Sequence, residues 1–205
     1  MGRAAGGDAL TVWQLPESVE LGGKTYGFYP DFRVILKIFR YWNDPELPEF
    51  LKWQVGLRLF YAEPVARRDV PEAMEYLAGF VAGFQPQKTF GGRLLDWQHD
   101  ANLIVADINK VAGREIRELP FVHWWTFLSW FHGIGPGQLS TVVSIRDKLR
   151  KGQKLESWEA EFYRENPGLV KLPPRLTREE MQQRSRLESL LSGEEVDPWQ
   201  QKNKS

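Results

Sequence analysis

The spacing of hydrophobic positions along the chain changes twice, and each change predicts a different element. From Ser18 to Phe28 apolar and polar residues alternate in two short runs on either side of Gly22-Gly23, the pattern of two strands joined by a two-residue turn. A lone hairpin is marginal in water, so it must rest on the helices after it. After Pro30 the period lengthens to that of helices. Asp31 is a candidate N-cap, and Phe32, Ile35, Leu36 and Phe39 share one face of a helix reaching about Trp42. Asn43-Asp44-Pro45 breaks it. A second helix, from about Pro48 to Tyr61, carries Leu51, Val55 and Leu59 and stops before Glu63-Pro64. The third begins at Pro71, in the first-turn position proline favours, with Met74, Leu77, Phe80, Val81 and Phe84 as its apolar stripe.

The stretch Gln85–Arg93, QPQKTFGGR, interrupts the pattern as a surface loop or hinge, and it lacks the glycine and lysine order of a phosphate-binding loop. Asp96 then predicts the cap of a helix with Trp97, Ala101, Ile104, Val105, Ile108, Val111 and Ala112 on one face, stopped by Gly113. Next comes the most apolar segment, Pro120–His132, in which six of thirteen residues are large aromatics. Projected at about 100° per residue, Phe121, Trp124, Trp125, Leu128 and Phe131 form one stripe, with Phe127 and Trp130 beyond it. That surplus predicts either a helix through the middle of the domain or a second apolar strip offered to another molecule.

Gln138–Gly152 reads as a further helix despite the β-branched run Thr141-Val142-Val143, which disfavours one. Ser157–Asn166 predicts a short charged helix with Trp158 and Phe162 on one side. Pro167 and Pro173-Pro174 mark an exit. Thr177-Arg178-Glu179-Glu180 is a capping box for a polar helix to about Ser192, whose Met181, Leu187, Leu190 and Leu191 can bury little area. The expected fold is therefore mainly α: a single helical domain with a small N-terminal β-hairpin and a loosely attached C-terminal helix. Its expected divisions are a disordered N-terminus at 1–12, a helical domain at 13–166, and a proline-containing linker, polar helix and disordered tail at 167–205.

Composition narrows the function. The 205 residues carry 27 Lys plus Arg against 27 Asp plus Glu, so there is no net field to draw the chain to nucleic acid or an anionic membrane. Cysteine is absent, which removes disulfides, thiolate metal sites and a cysteine nucleophile. The N-terminal decapeptide lacks the apolar run of a secretory signal, its Met-Gly start does not continue as a myristoylation pattern, and no long apolar run suggests a membrane span. The expected location is the cytosol in which the chain is made, without secretion.

Candidate chemistry is sparse. With three histidines, none placed as in a zinc-protease helix, no metal or cofactor is expected and no catalytic residue is named. His132 fits the last turn of its helix, where a positive charge meets the carbonyl end favourably. His123 is expected at the surface or facing a partner. Asp96 and Asp100, one turn apart with His99 between them, could build a metal or acid pair, but an aspartate in the first turn of a helix is accounted for by capping. The run Arg146-Asp147-Lys148-Leu149-Arg150-Lys151-Gly152-Gln153-Lys154, with Arg67-Arg68, could neutralise phosphates, yet basic residues also suit a solvated helix C-terminus.

Several of these segments occur together elsewhere. Leu15–Tyr26, LPESVELGGKTY, is followed by Asp31-Phe32-Arg33, Asp96-Trp97-Gln98-His99-Asp100-Ala101, His123-Trp124-Trp125-Thr126-Phe127, Ile145-Arg146 and Glu161-Phe162-Tyr163. In that order, over roughly residues 15 to 165, the chain resembles the phage family called bacteriophage gene product fifteen. The tryptophan pair after an aspartate-capped helix start is its most specific part. The glycine-rich start and a loop at 85–93 without lysine-rich character depart from it. The resemblance implies a tail assembly chaperone that coats the long, largely helical tape measure protein while tail tube subunits polymerise around it, with no enzyme site carried over. The expected partners are thus the tape measure protein and tail tube subunits, with self-association open. The expected partner-binding residues are Trp124, Trp125, Phe127, Trp130 and Phe131. The rivals are a structural tail or connector component of the virion, and a nucleic-acid binder using Arg146–Lys154.

Overall fold

A computed structural model of the chain describes residues 14–84 and 92–191, with side chains to Leu187. The expectations for 1–12, for most of the loop at 85–93, for the Leu190 and Leu191 side chains and for the tail beyond 191 lie outside the described residues. Strands β1 (Ser18–Leu21) and β2 (Lys24–Gly27) pair antiparallel, with Leu21 opposite Lys24. Gly22 and Gly23 turn between them at φ +56° and +79°, the left-handed pair a two-residue hairpin turn demands. A side chain at Gly22 would also strike the Asp69 carboxylate. The hairpin rests on the helices through fully buried Tyr26, whose hydroxyl donates to Asp69 Oδ2 at 2.9 Å, and through Leu21.

Helix α1 (Phe32–Trp42) is capped by Asp31, which accepts the Arg33 N–H at 2.9 Å, and it buries Phe32, Ile35 and Ile38. It packs on α2 (Glu49–Phe60), where Gly56 leaves room for the Trp42 indole. Helix α3 (Val70–Val81) stops short of Phe84, which at φ +51° folds its half-exposed ring back over Gly79, against Tyr76 and Trp125. The stripe expected there ends one turn early because Gly83 takes the left-handed conformation that closes the helix.

Helix α4 (Ala101–Ala112) ends at Gly113 in the left-handed form. It begins later than the sequence suggests. Asp96 caps a turn, accepting the N–H groups of Gln98 and His99. Asp100 at the helix start makes no side-chain cap. Helix α5 (Trp124–His132) and α6 (Gln138–Arg150) pack on α4. At the start of α6, Asp107 of α4 accepts the Leu139 N–H, supplying the cap that Gly137 cannot. The β-branched run is helical after all, with Val142 and Ile145 fully buried: packing outweighs propensity. Helices α7 (Ser157–Glu165), α8 (Pro167–Val170) and α9 (Arg178–Leu191) complete the described chain.

In the run Arg146–Lys154, residues 149–154 are exposed at the C-terminal end of α6, as a solvated helix end requires, but Arg146 is not part of that face. Arg146 is 6% exposed and forms a two-pronged pair with Asp100, 1% exposed, at 2.7 Å on both oxygens. Its remaining donors reach the carbonyls of Leu94, Leu169 and Val170. One guanidinium therefore ties α6 to α4, to the segment before α4 and to α8. Lys148 pairs with Glu159, and Arg150 and Lys151 pair with Asp147. Lys148 and the Glu156 amide hold the Glu159 carboxyl below the usual carboxylate range.

Removing one member of a buried pair leaves the other charged without a partner. Arg146→Ala is expected to lower the unfolding free energy by about 3–5 kcal/mol in urea titration. Arg150→Ala, at the surface, should cost less than about 1 kcal/mol.

Candidate partner-binding surface

The aromatic segment does not fold as one stripe. Pro120, Phe121 and Val122 lie outside the helix, which starts only at Trp124 because His123 caps it. Its Nδ1 accepts the Trp125 N–H at 3.1 Å, so the ring proton sits on Nε2, which donates to the Pro16 carbonyl at 3.0 Å. His123 is thus 2% exposed and fully engaged, not at the surface as the sequence suggests. The reason is local: a cap residue lies outside the helical period from which its direction is read. Phe121, expected on the buried stripe, is 48% exposed for the same reason.

Backbone bonds seat this junction on the start of α1. Phe32 N–H donates to Val122 O, Trp124 N–H to Pro30 O at 2.7 Å, and Val122 N–H to the Asp31 carboxylate. Trp124 then lies inside, 1% exposed, with its indole N–H on the Val81 carbonyl at 2.9 Å. Phe127, also 1% exposed, stacks on Phe32 at 4.6 Å between ring centres. Phe127 belongs to the core, not to an outer strip, since Trp124 and Phe127, three apart, define the inward face once the helix begins at 124.

The other three rings occupy the boundary. Trp125 is half-buried, stacked on Phe80 and donating to the Phe80 carbonyl. Phe131 is half-buried against Trp97 at 5.0 Å. Trp130 is half-buried on the core, and among the described residues its indole N–H has no hydrogen-bond partner, so it remains available to water or another chain. Trp125 and Leu128 therefore form a partly open apolar edge on one side of α5, Trp130 lies at the opposite edge about 140° around the helix from Trp125, and Ser129 is exposed between the two tryptophans.

A second apolar surface escapes a reading of the sequence. Phe50, at the start of α2, is 70% exposed, and Leu51 and Val55 on the same helix are half-exposed. Helix α2 is apolar on several sides, and α1 and α3, the helices packed on it, leave the side bearing Phe50 uncovered.

The candidate acid or metal cluster does not converge. Asp100 turns inward to Arg146, Asp96 is taken by two backbone amides and Arg175, and His99 is exposed. Among the described residues no group of three or more histidine and carboxylate side chains could hold a metal ion, and no helix is long and apolar enough to cross a membrane.

A family model described as Bacteriophage Gp15 protein matches residues 12–172. The chain belongs to that family. The match takes in the hairpin, the α5 junction, the Arg146 clamp and the open edge of α5, and it ends before Pro173-Pro174. Neither the curated proteins nor the solved structures give a match to the chain. As a Gp15 family member it is a bacteriophage protein.

Burial pushes the His123 imidazole below its ordinary value, against the weaker pull of the Pro16 carbonyl and Glu17. Protonation would also cost Nδ1 its acceptor role and so undo the cap. Because the folded value is depressed, this contribution to stability is complete above about pH 6.5 and is lost as pH falls through the folded value. Asparagine can cap but does not titrate. His123→Asn is thus expected to flatten the fall in stability just below pH 6.5, measured by urea unfolding at several pH values; an unchanged slope would mean His123 is not its source.

Proposed function

We propose that this Gp15 family member is a non-enzymatic tail assembly chaperone that binds the tape measure protein before the tail tube closes around it. The observation that carries the reading is the family match over residues 12–172. The structure adds a physical means. A helical client is held through aromatic and aliphatic anchors at helical spacing, and α5 offers Trp125 and Leu128, three residues apart, on one edge and Trp130 on the other. Tryptophan at such an edge combines a large apolar face with a polar tip, the combination that dominates binding energy at interfaces. Trp124 and Phe127 contribute indirectly, by fixing the helix that presents the edge.

The same family match also suits a structural component of the virion. A chaperone leaves before the tail is complete, so mass spectrometry of purified particles is expected to find none of this chain; stoichiometric retention would favour the structural reading. Pairing of Arg146, Lys148, Arg150 and Lys151 with carboxylates of their own chain weighs against nucleic acid as the partner.

Co-expression with the neighbouring tape measure protein is expected to keep that protein soluble. Trp130→Ala should weaken the association by about 2 kcal/mol while lowering the unfolding free energy by less than that. Unchanged association, or equal loss of fold and binding, would remove Trp130 from the binding surface.

A further inference from the structure

Between α8 and α9, residues 172–177 form neither helix nor strand and pass one end of α1. Two consecutive prolines fix the backbone near the polyproline conformation, which exposes carbonyls and loses little entropy when it docks. This strap forms one wall of a cleft whose other walls match it. Its floor is apolar and aromatic: Leu36 and Phe39 of α1, with Trp97 lying parallel to Phe39 at 6.0 Å and an interplanar angle of 2°. Its rim is polar. Arg93 donates to the Pro173 carbonyl, and Arg175 donates to Asn43 Oδ1 at 2.6 Å and to Asp96 Oδ2 at 3.1 Å. Extended proline-rich segments dock in aromatic-lined grooves, and here the rim adds a donor for a proline carbonyl and a carboxylate for the arginine that follows.

The strap is seated as a ligand is, and not as a core element. Pro173, Pro174 and Arg175 are exposed, and a cleft of about 490 Å³ remains beside them. Surface ion pairs of this kind hold by roughly 1 kcal/mol or less each. The strap also lies outside the residues matched by the family.

We propose that this groove is a receptor for an extended segment bearing paired prolines followed by an arginine. In the free chain its own Pro173-Pro174-Arg175 holds the polar rim of the groove, and a partner segment of the same chemistry takes rim and floor when the strap lifts. Tethering gives the strap an effective concentration in the millimolar range, so it competes strongly with any external segment.

The test uses the full chain and a labelled peptide of residues 170–178, VKLPPRLTR, followed by fluorescence anisotropy. A strap variant carrying Pro173→Gly, Pro174→Gly and Arg175→Glu is expected to bind the peptide at least about tenfold more tightly than the wild-type chain. Adding Asp96→Asn retains an oxygen for the Gln98 and His99 amides but removes the charge, and is expected to weaken the peptide at least about threefold. The thermal midpoint of the strap variant, expected close to wild type because the Arg146 clamp is intact, establishes that the groove is folded. The proposal is overturned if the strap variant binds no better than wild type, if Asp96→Asn changes nothing, or if wild-type chains sediment as dimers with exchanged straps. No tape measure protein enters the assay, so its outcome is separate from that of the chaperone reading.

Discussion

The fold depends on how the backbone from Val122 to Trp125 is held. Its amides and carbonyls bond to Pro30, Asp31 and Phe32, its histidine ring reaches back to Pro16, and its two tryptophans donate to Val81 and Phe80. Four stretches distant in sequence meet there. A buried polar group must find a partner or cost free energy, so each of these bonds also fixes a direction. Once the junction is set, α5 can project only one way. Trp124 and Phe127 go inward against Phe32, Phe39 and Trp97, and Trp130 is left at the boundary.

The Arg146–Asp100 pair performs a comparable task where α4, α6 and α8 meet. A buried ion pair is weak as a source of stability, since desolvation offsets much of the attraction, but it tolerates few geometries. By also binding the carbonyls of Leu94, Leu169 and Val170, Arg146 sets where α8 ends and hence where the strap after it departs. The strap then lines a cleft with Trp97, whose ring touches Phe131 of α5 on one side and Phe39 on the other. Helix α5 and the groove are therefore joined through one indole.

Much of this architecture is legible in the residues. Alternation about Gly22-Gly23 locates the hairpin, Asp31 the start of α1, Pro71 the first turn of α3 and Gly113 the end of α4, because each is a local rule acting on a few neighbours. The rest requires knowing which distant group stands opposite. His123 reads as an exposed ring until Pro16 is placed beside it, and Arg146 as one member of a basic run until Asp100 is. Phe121 and Phe127 exchange their expected places because a cap displaces the helix start by three residues. The exposure of Phe50 is hidden because an apolar helix gives no sign of how many neighbours cover it.

The central claim is a division of labour along α5, in which inner rings hold the fold and outer rings meet another chain. Hydrogen exchange on the chain alone and in complex with the tape measure protein measures this division most directly, since backbone amides slow where a partner covers a helix. The account predicts added protection over the last turns of α5, about residues 128–134, with the Val122–Trp125 junction equally protected in both states. Protection gained only along α2, with none on α5, would contradict it.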